Sequence, residues 1–155
     1  MGRYSFLASQ PSMIVSAKRN EVTIWRADGE TETFSSDDPI GELRKHVSNV
    51  KVAHPSELPP FIAGAVGYAG YDVVRYSEHL PNAPQDDRGL PDLSFAFYDH
   101  MIVFDNVTKT VIVVVMANVS DAHDNESLRS EYDKAVARVD ALVEKLSKPA
   151  VNPLM

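Results

Sequence analysis

The chain contains no cysteine. That removes disulfides, thiolate nucleophiles and Cys-based zinc sites from its chemistry, and it fits a reducing compartment. Basic clusters are missing too: Lys18-Arg19 and Arg44-Lys45 are isolated pairs. With 15 Lys and Arg against 22 Asp and Glu, the formal net charge is −7. Such a surface repels a phosphate backbone, so nucleic acid is not expected as a partner. The longest apolar run, residues 111–117, falls far short of the roughly 20 residues needed to cross a bilayer, so no membrane partner is expected either. The opening residues 2–6 lack the apolar core of a secretory leader. The expectation is a soluble cytoplasmic domain.

What is present suits a packed core. A length of 155 residues matches one domain of ordinary size, and 44% hydrophobic with 24% charged residues is the usual globular balance. Residues 4–8 place Tyr4, Phe6 and Ala8 at alternate positions, as a strand face does, before Pro11 punctuates the chain. Two β-rich runs, residues 13–17 and 22–25, flank the polar stretch Lys18-Arg19-Asn20-Glu21, which predicts a hairpin. Asp28-Gly29 marks a second turn, and residues 31–34 a further strand.

The period then changes. Asp38 caps a predicted helix with Pro39 at its first position, and Ile40, Leu43, Val47 and Val50 follow on one face. Residues 61–71 read as a strand whose glycines (Gly64, Gly67, Gly70) imply close backbone contacts. Residues 72–76 read as a short helix and residues 80–91 as a surface loop. Residues 93–105 and 110–117 form the strongest predicted strand pair; the second is apolar throughout, which calls for burial on both faces. A long helix over residues 127–147 carries Leu128, Tyr132, Ala135, Val139, Leu142 and Leu146 at spacings of three and four, with Arg138 among the charged residues opposite. Strands, helix, strands, helix, without a βαβ beat, predict an α+β fold: a layered α/β/β/α sandwich-type domain with mainly antiparallel sheets. The domain spans residues 1–148, and residues 149–155 read as a linker-like tail.

Candidate chemistry is sparse. The glycine triplet matches neither a dinucleotide loop nor a P-loop, so tight packing explains it better than a phosphate cradle. Asp86, Asp87 and Asp92 lack the alternating spacing and closing Glu of a calcium loop and read as a solvated turn. Asp99 and Asp105 are six residues apart and would share a face of one regular strand, which makes them a conceivable carboxylate pair. His46, His54, His79, His100 and His123 never fall three or four apart, so no helical metal pair arises. No G-x-S-x-G elbow occurs. The N-x-[ST] matches at Asn106, Asn118 and Asn125 are read as coincidental, in the absence of a secretory signal.

Three segments carry a resemblance. Gly2-Arg3-Tyr4-Ser5-Phe6-Leu7 is similar to an opening strand of anthranilate synthase component I. Residues 60–76, PFIAGAVGYAGYDVVRY, are close to that family's GGAVGYxGYDxVRY segment. Asp86-Asp87-Arg88-Gly89-Leu90-Pro91-Asp92, then Phe95, Tyr98-Asp99 and Val103-Phe104-Asp105, follow in the same order. The chain thus resembles the N-terminal domain of anthranilate synthase component I, with aminodeoxychorismate synthase component I (folate biosynthesis) as a close relative. The resemblance implies a non-catalytic regulatory and structural domain, with no catalytic, cofactor or metal residues of its own. It implies a C-terminal chorismate-binding domain, absent from this chain, that carries catalysis and Mg²⁺, and a glutamine amidotransferase subunit, component II, that delivers ammonia. It also implies a tryptophan feedback site. Arg3, Tyr4 and Ser5 lie near that pocket, whose Leu-Leu-Glu-Ser portion is expected ahead of Gly2 and is not in this sequence. A stand-alone amino-acid-binding module is the alternative from another class.

Overall fold

The structure is a computed structural model that describes residues 2–48 and 50–149. Eight strands are described: β1 (Tyr4–Leu7), β2 (Met13–Lys18), β3 (Glu21–Arg26), β4 (Thr31–Ser35), β5 (Gly64–Ala69), β6 (Leu93–Tyr98), β7 (His100–Asp105) and β8 (Thr110–Val115). Two α-helices, α1 (Pro39–Ser48) and α2 (Asn125–Ser147), and a 3-10 helix, Tyr71–Tyr76, complete the set. Every strand pairing is antiparallel, in two sheets of order β4-β3-β2-β6-β5 and β1-β7-β8. The fold is α+β, as the pattern predicts. The chain divides into two compact units, one holding β2 to β6 with α1 and the other β1, β7, β8 and α2.

In the five-stranded unit, β2 and β3 form the predicted hairpin. Arg19 takes a positive φ of 52° at the turn, and the ladder runs from Met13↔Arg26 to Lys18↔Glu21. Period-2 alternation turns Val15, Ala17, Val22 and Ile24 to one face, where they form a buried cluster with Leu93. Each large side chain fully buried there contributes roughly 1.5–3 kcal/mol over leaving it in water. Phe34, Ile40, Leu43, Val73, Tyr76, Phe95 and Phe97 pack around that cluster, so α1 and the 3-10 helix rest on the same face.

Helix α1 starts as predicted. The Asp38 carboxylate accepts the Gly41 N–H at 2.8 Å, one of the orphan donors of the first turn. A Cβ at Gly41 would sit 2.6 Å from Asp38 Cγ, so the glycine makes room for the cap. The predicted apolar face is shorter than expected: Ile40 and Leu43 reach the core, whereas Val47 and Val50 are exposed. The close backbone contact expected in β5 is found at Gly67, where a Cβ would lie 2.6 Å from Phe95 Cα on β6.

Two expectations are corrected. Residues 93–105 are not one strand. Thirteen residues is more than double the usual strand length of about 5–6, and the chain bends at Asp99, so that β6 joins the five-stranded sheet and β7 the three-stranded one. The Asp99 carbonyl accepts Met116 N–H at 2.7 Å rather than extending the β6 ladder. The apolar strand β8 is not the doubly buried centre of a sheet either. It is an edge strand beside β7; of its valines only Val114 is buried, and Val111 is 53% exposed. Its outer face is supplied with a helix, because α2 packs along it. The Asp124 carboxylate and Ser127 form a reciprocal capping box at the start of α2. Of the linker-like tail, residues 150–155 lie outside the described residues.

Candidate functional site

Pairing of β1 with β7 sets Tyr4 opposite Asp105 and Ser5 opposite Phe104, which brings the start of the chain against the turn after β7. There the Asp105 carboxylate, 5% exposed, takes four donors. Arg3 Nε and Nη2 reach one oxygen at 3.2 and 2.9 Å, and the Val107 and Thr108 N–H groups reach the other at 2.9 and 3.2 Å. The Arg3 guanidinium, helped by those backbone donors and opposed by burial, holds the Asp105 carboxyl far below the usual carboxylate range. Asp105 raises the Arg3 pKa in turn. The guanidinium also lies 4.9 Å from the centre of the Tyr4 ring, a cation–π geometry. Asn106 Nδ2 donates to Ser5 Oγ at 3.1 Å and to the Gly2 carbonyl at 3.2 Å. Tyr4 and Ser5 thus open β1 and Arg3 lies just before it, with Arg3 held by Asp105 at the β7 end and Ser5 by Asn106 just beyond it.

A second cluster in the same unit joins the Asp99 bend to α2. Arg138 clamps the Asp99 carboxylate with both terminal nitrogens, at 2.9 and 3.1 Å. Hydrogen bonding to Arg138, then to His100, pulls the Asp99 pKa from its usual value down to about 2 against the pull of desolvation. His100, only 8% exposed, places Nδ1 within 2.8 Å of Asp99 Oδ1 and 3.1 Å of Arg138 Nη2. One ring nitrogen can donate to Asp99 or accept from Arg138, not both. The carboxylate pair suggested by the spacing of Asp99 and Asp105 is not a pair. One sits in a bend and the other at the end of β7, each with its own arginine.

The five-stranded unit has a polar cavity of about 510 Å³ between the β2–β3 turn, the 3-10 helix and residues 83–92. Asp92 organises it: its carboxylate accepts the Arg19 N–H at 2.7 Å and the Tyr76 hydroxyl at 2.9 Å. Burial, followed by the neighbouring Asp92, pushes the Tyr76 hydroxyl pKa well up. Lys18 pairs with Asp86 and lowers its pKa; Gly89 N–H caps the same carboxylate at 2.8 Å. Arg75 binds Asp72 and the Leu80 carbonyl, both at 2.7 Å. Of the predicted solvated turn, Asp86 and Asp92 thus hold the loop down.

The histidines stay apart: His46 meets the edge of Phe97, and His54 Nε2 lies 2.9 Å from the Pro59 carbonyl. Among the described residues no three His, Cys, Asp or Glu side chains are placed together to hold a metal ion. Sequence spacing gives no sign of the roles of Arg138 and Asp92. A signal for Asp105 is present, because an Asp closing a strand before Asn-Val-Thr is the pattern of a side chain that caps the next backbone N–H groups.

Two antiparallel sheets with a helix on each, rich in internally paired charge, define a β-rich α+β domain whose sequence matches the chorismate binding enzyme family over residues 4–153. The chain belongs to that family. It resembles the N-terminal domain of anthranilate synthase component I. It is 32% identical over 140 residues to anthranilate synthase component 1 of Acetivibrio thermocellus, covering 90% of this chain and 27% of that protein. It is 35% identical over 161 residues to the chloroplastic anthranilate synthase alpha subunit 2 of Arabidopsis thaliana, covering 99% of this chain and 25% of that protein. The crystal structure of anthranilate synthase component I from Streptococcus pneumoniae TIGR4 matches with a TM-score of 0.71 at 26% identity, over 97% of this chain and 31% of that one. The chain thus spans between a quarter and a third of the length of these relatives. No helix among the described residues is long and apolar enough to cross a membrane.

Proposed function

We propose that this chain is a non-catalytic regulatory and structural domain of anthranilate synthase component I, acting in tryptophan biosynthesis in the cytoplasm. The whole enzyme converts chorismate and ammonia, or glutamine, to anthranilate and pyruvate. The chorismate-binding part supplies catalysis and Mg²⁺ sites, and a glutamine amidotransferase subunit supplies ammonia. Arg3, Tyr4 and Ser5 lie in the vicinity of a tryptophan feedback site that other segments complete.

The observation that carries this reading is the internal pairing of the acids singled out as candidates. Asp99 and Asp105 are held ionised by Arg138 and Arg3, and Asp86 by Lys18, so none is poised to exchange a proton near neutral pH. The test is direct. Purified chain with chorismate, Mg²⁺ and ammonia is expected to yield no fluorescent anthranilate, and titration with tryptophan no measurable heat, because Asp105 already occupies the Arg3 guanidinium. Sustained anthranilate release would overturn the non-catalytic reading. Tight tryptophan binding would instead favour a self-sufficient amino-acid-binding module.

A further inference from the structure

Most arginines of this chain are neutralised. Of the eight, Arg3, Arg26, Arg75, Arg129 and Arg138 each form an ion pair with a carboxylate. Two of the remaining three, Arg19 and Arg88, line the polar cavity of about 510 Å³ in the five-stranded unit. Neither guanidinium has a hydrogen bond or an ion pair among the described residues. The fold brings the two to one place. Residues 86–92 are pinned at both ends to the β2–β3 turn: Asp86 pairs with Lys18, and Asp92 accepts the Arg19 N–H at 2.7 Å. Between those ends Gly89 takes a positive φ of 65° and donates its N–H to Asp86 at 2.8 Å, which turns the chain sharply. A Cβ at Gly89 would lie 3.6 Å from Lys18 Nζ, so the turn sits on the lysine. Arg88 is thereby carried to the cavity that Arg19 also lines.

The rest of the lining selects the ligand. Lys18 and Arg75 are already neutralised by Asp86 and Asp72. The Asp92 carboxylate is taken by the Arg19 N–H and the Tyr76 hydroxyl. What remains is two guanidiniums and one acid, Asp87, whose side chain has no partner among the described residues. Guanidinium groups recognise carboxylate and phosphate through paired N–H donors. A phosphate dianion would meet Asp87 and Asp92 with twice the charge, so a singly charged carboxylate fits better. The volume is that of a small-molecule site, far more than a carboxylate group alone fills. Tyr71, 84% exposed, and Leu90, 58% exposed, offer apolar surface for the remainder of the ligand. An ammonium beside the carboxylate would be repelled by the same two guanidiniums, so an amino acid fits poorly. We propose that this cavity binds a small monocarboxylate with an aromatic or other apolar body and no amino group. Arg19 and Arg88 hold the carboxylate, and Tyr71 and Leu90 support the body.

Phenylacetate is the probe, with 2-phenylacetamide as its uncharged analogue, inorganic phosphate as a bare oxyanion and tryptophan as an amino acid. Titration of the full chain, followed through the arginine Nε–Hε NMR signals, should give saturable shifts with phenylacetate and none with the other three. Arg19→Gln and Arg88→Gln should each weaken phenylacetate binding at least about tenfold. Arg44→Gln removes the same charge from the third unpaired arginine, exposed on α1 and outside the cavity, and should leave the affinity unchanged. Protection of Arg19 and Arg88 from phenylglyoxal by phenylacetate, read by peptide mass in the unaltered chain, checks the site without any variant. Absence of saturation, absence of that protection, or an equal loss in Arg44→Gln overturns the site. Equal binding of 2-phenylacetamide overturns the part given to the guanidiniums. Phosphate or tryptophan binding at the two arginines as tightly as phenylacetate overturns the ligand class.

Discussion

Asp99 and Asp105 show how one residue type serves two positions by the same device, an arginine brought from far along the chain. At Asp99 the consequence is measurable. Its carboxyl has a folded pKa of about 2 against a usual 3.8, so the ion pair with Arg138 stabilises the folded state fully above the higher value. Below it, protons bind the unfolded chain first, and the contribution is lost as pH falls toward about 2. Comparing urea midpoints of the parent and Arg138→Ala from pH 6 to pH 2 should therefore show a gap that is constant near neutrality and closes in acid. A gap that widened in acid would contradict the assignment. The spacing of the two acids was legible in the sequence; their partners were not. Arg3 and Arg138 are separated from them by 102 and 39 residues, and only strand pairing and helix docking bring them near.

At the scale of elements, local signals carried furthest where they were local in cause. The β2–β3 hairpin follows from a polar stretch between β-branched runs, and α1 from Asp38 before Pro39. The division at Asp99 was hidden because the composition on either side of it is alike, aromatic and β-branched from Phe95 to Phe104. The position of β8 at a sheet edge was hidden because it depends on where β1 pairs, a hundred residues earlier. Two substitutions separate local from tertiary causes. Asp38→Ala removes a single cap bond, at a cost of about 1 kcal/mol. Gly67→Ala drives a methyl into the backbone of β6, at a cost of about 1–3 kcal/mol and a loosened β5–β6 ladder. Denaturant unfolding ranks them: if Gly67→Ala were the milder change, the close approach of β5 to β6 would not be the reason for that glycine.

For the whole molecule, stability is unevenly supplied. The five-stranded unit has a dry cluster in which Val15, Val22 and Leu93 are all but inaccessible to solvent, whereas α2, though 23 residues long, has no buried residue. Of the apolar stripe legible in the sequence, Ala135, Val139 and Leu142 are half-buried while Leu128, Tyr132 and Leu146 stay substantially exposed, as do Val136 and Val143 outside the stripe. A helix held by partial burial along β8, the Arg138 clamp and a capping box opens at lower free energy than strands around a closed core. Native-state hydrogen exchange should accordingly find the slowest amides in β2, β3 and β6, and should find α2 exchanging through local opening that is insensitive to low denaturant. Arg138→Ala should speed α2 further and leave β2 and β3 unaltered, because the clamp acts within one unit. If α2 instead exchanged only with global unfolding, at the rate of β2, the helix would be as firmly seated as the core, and its exposed stripe would not leave it weakly held.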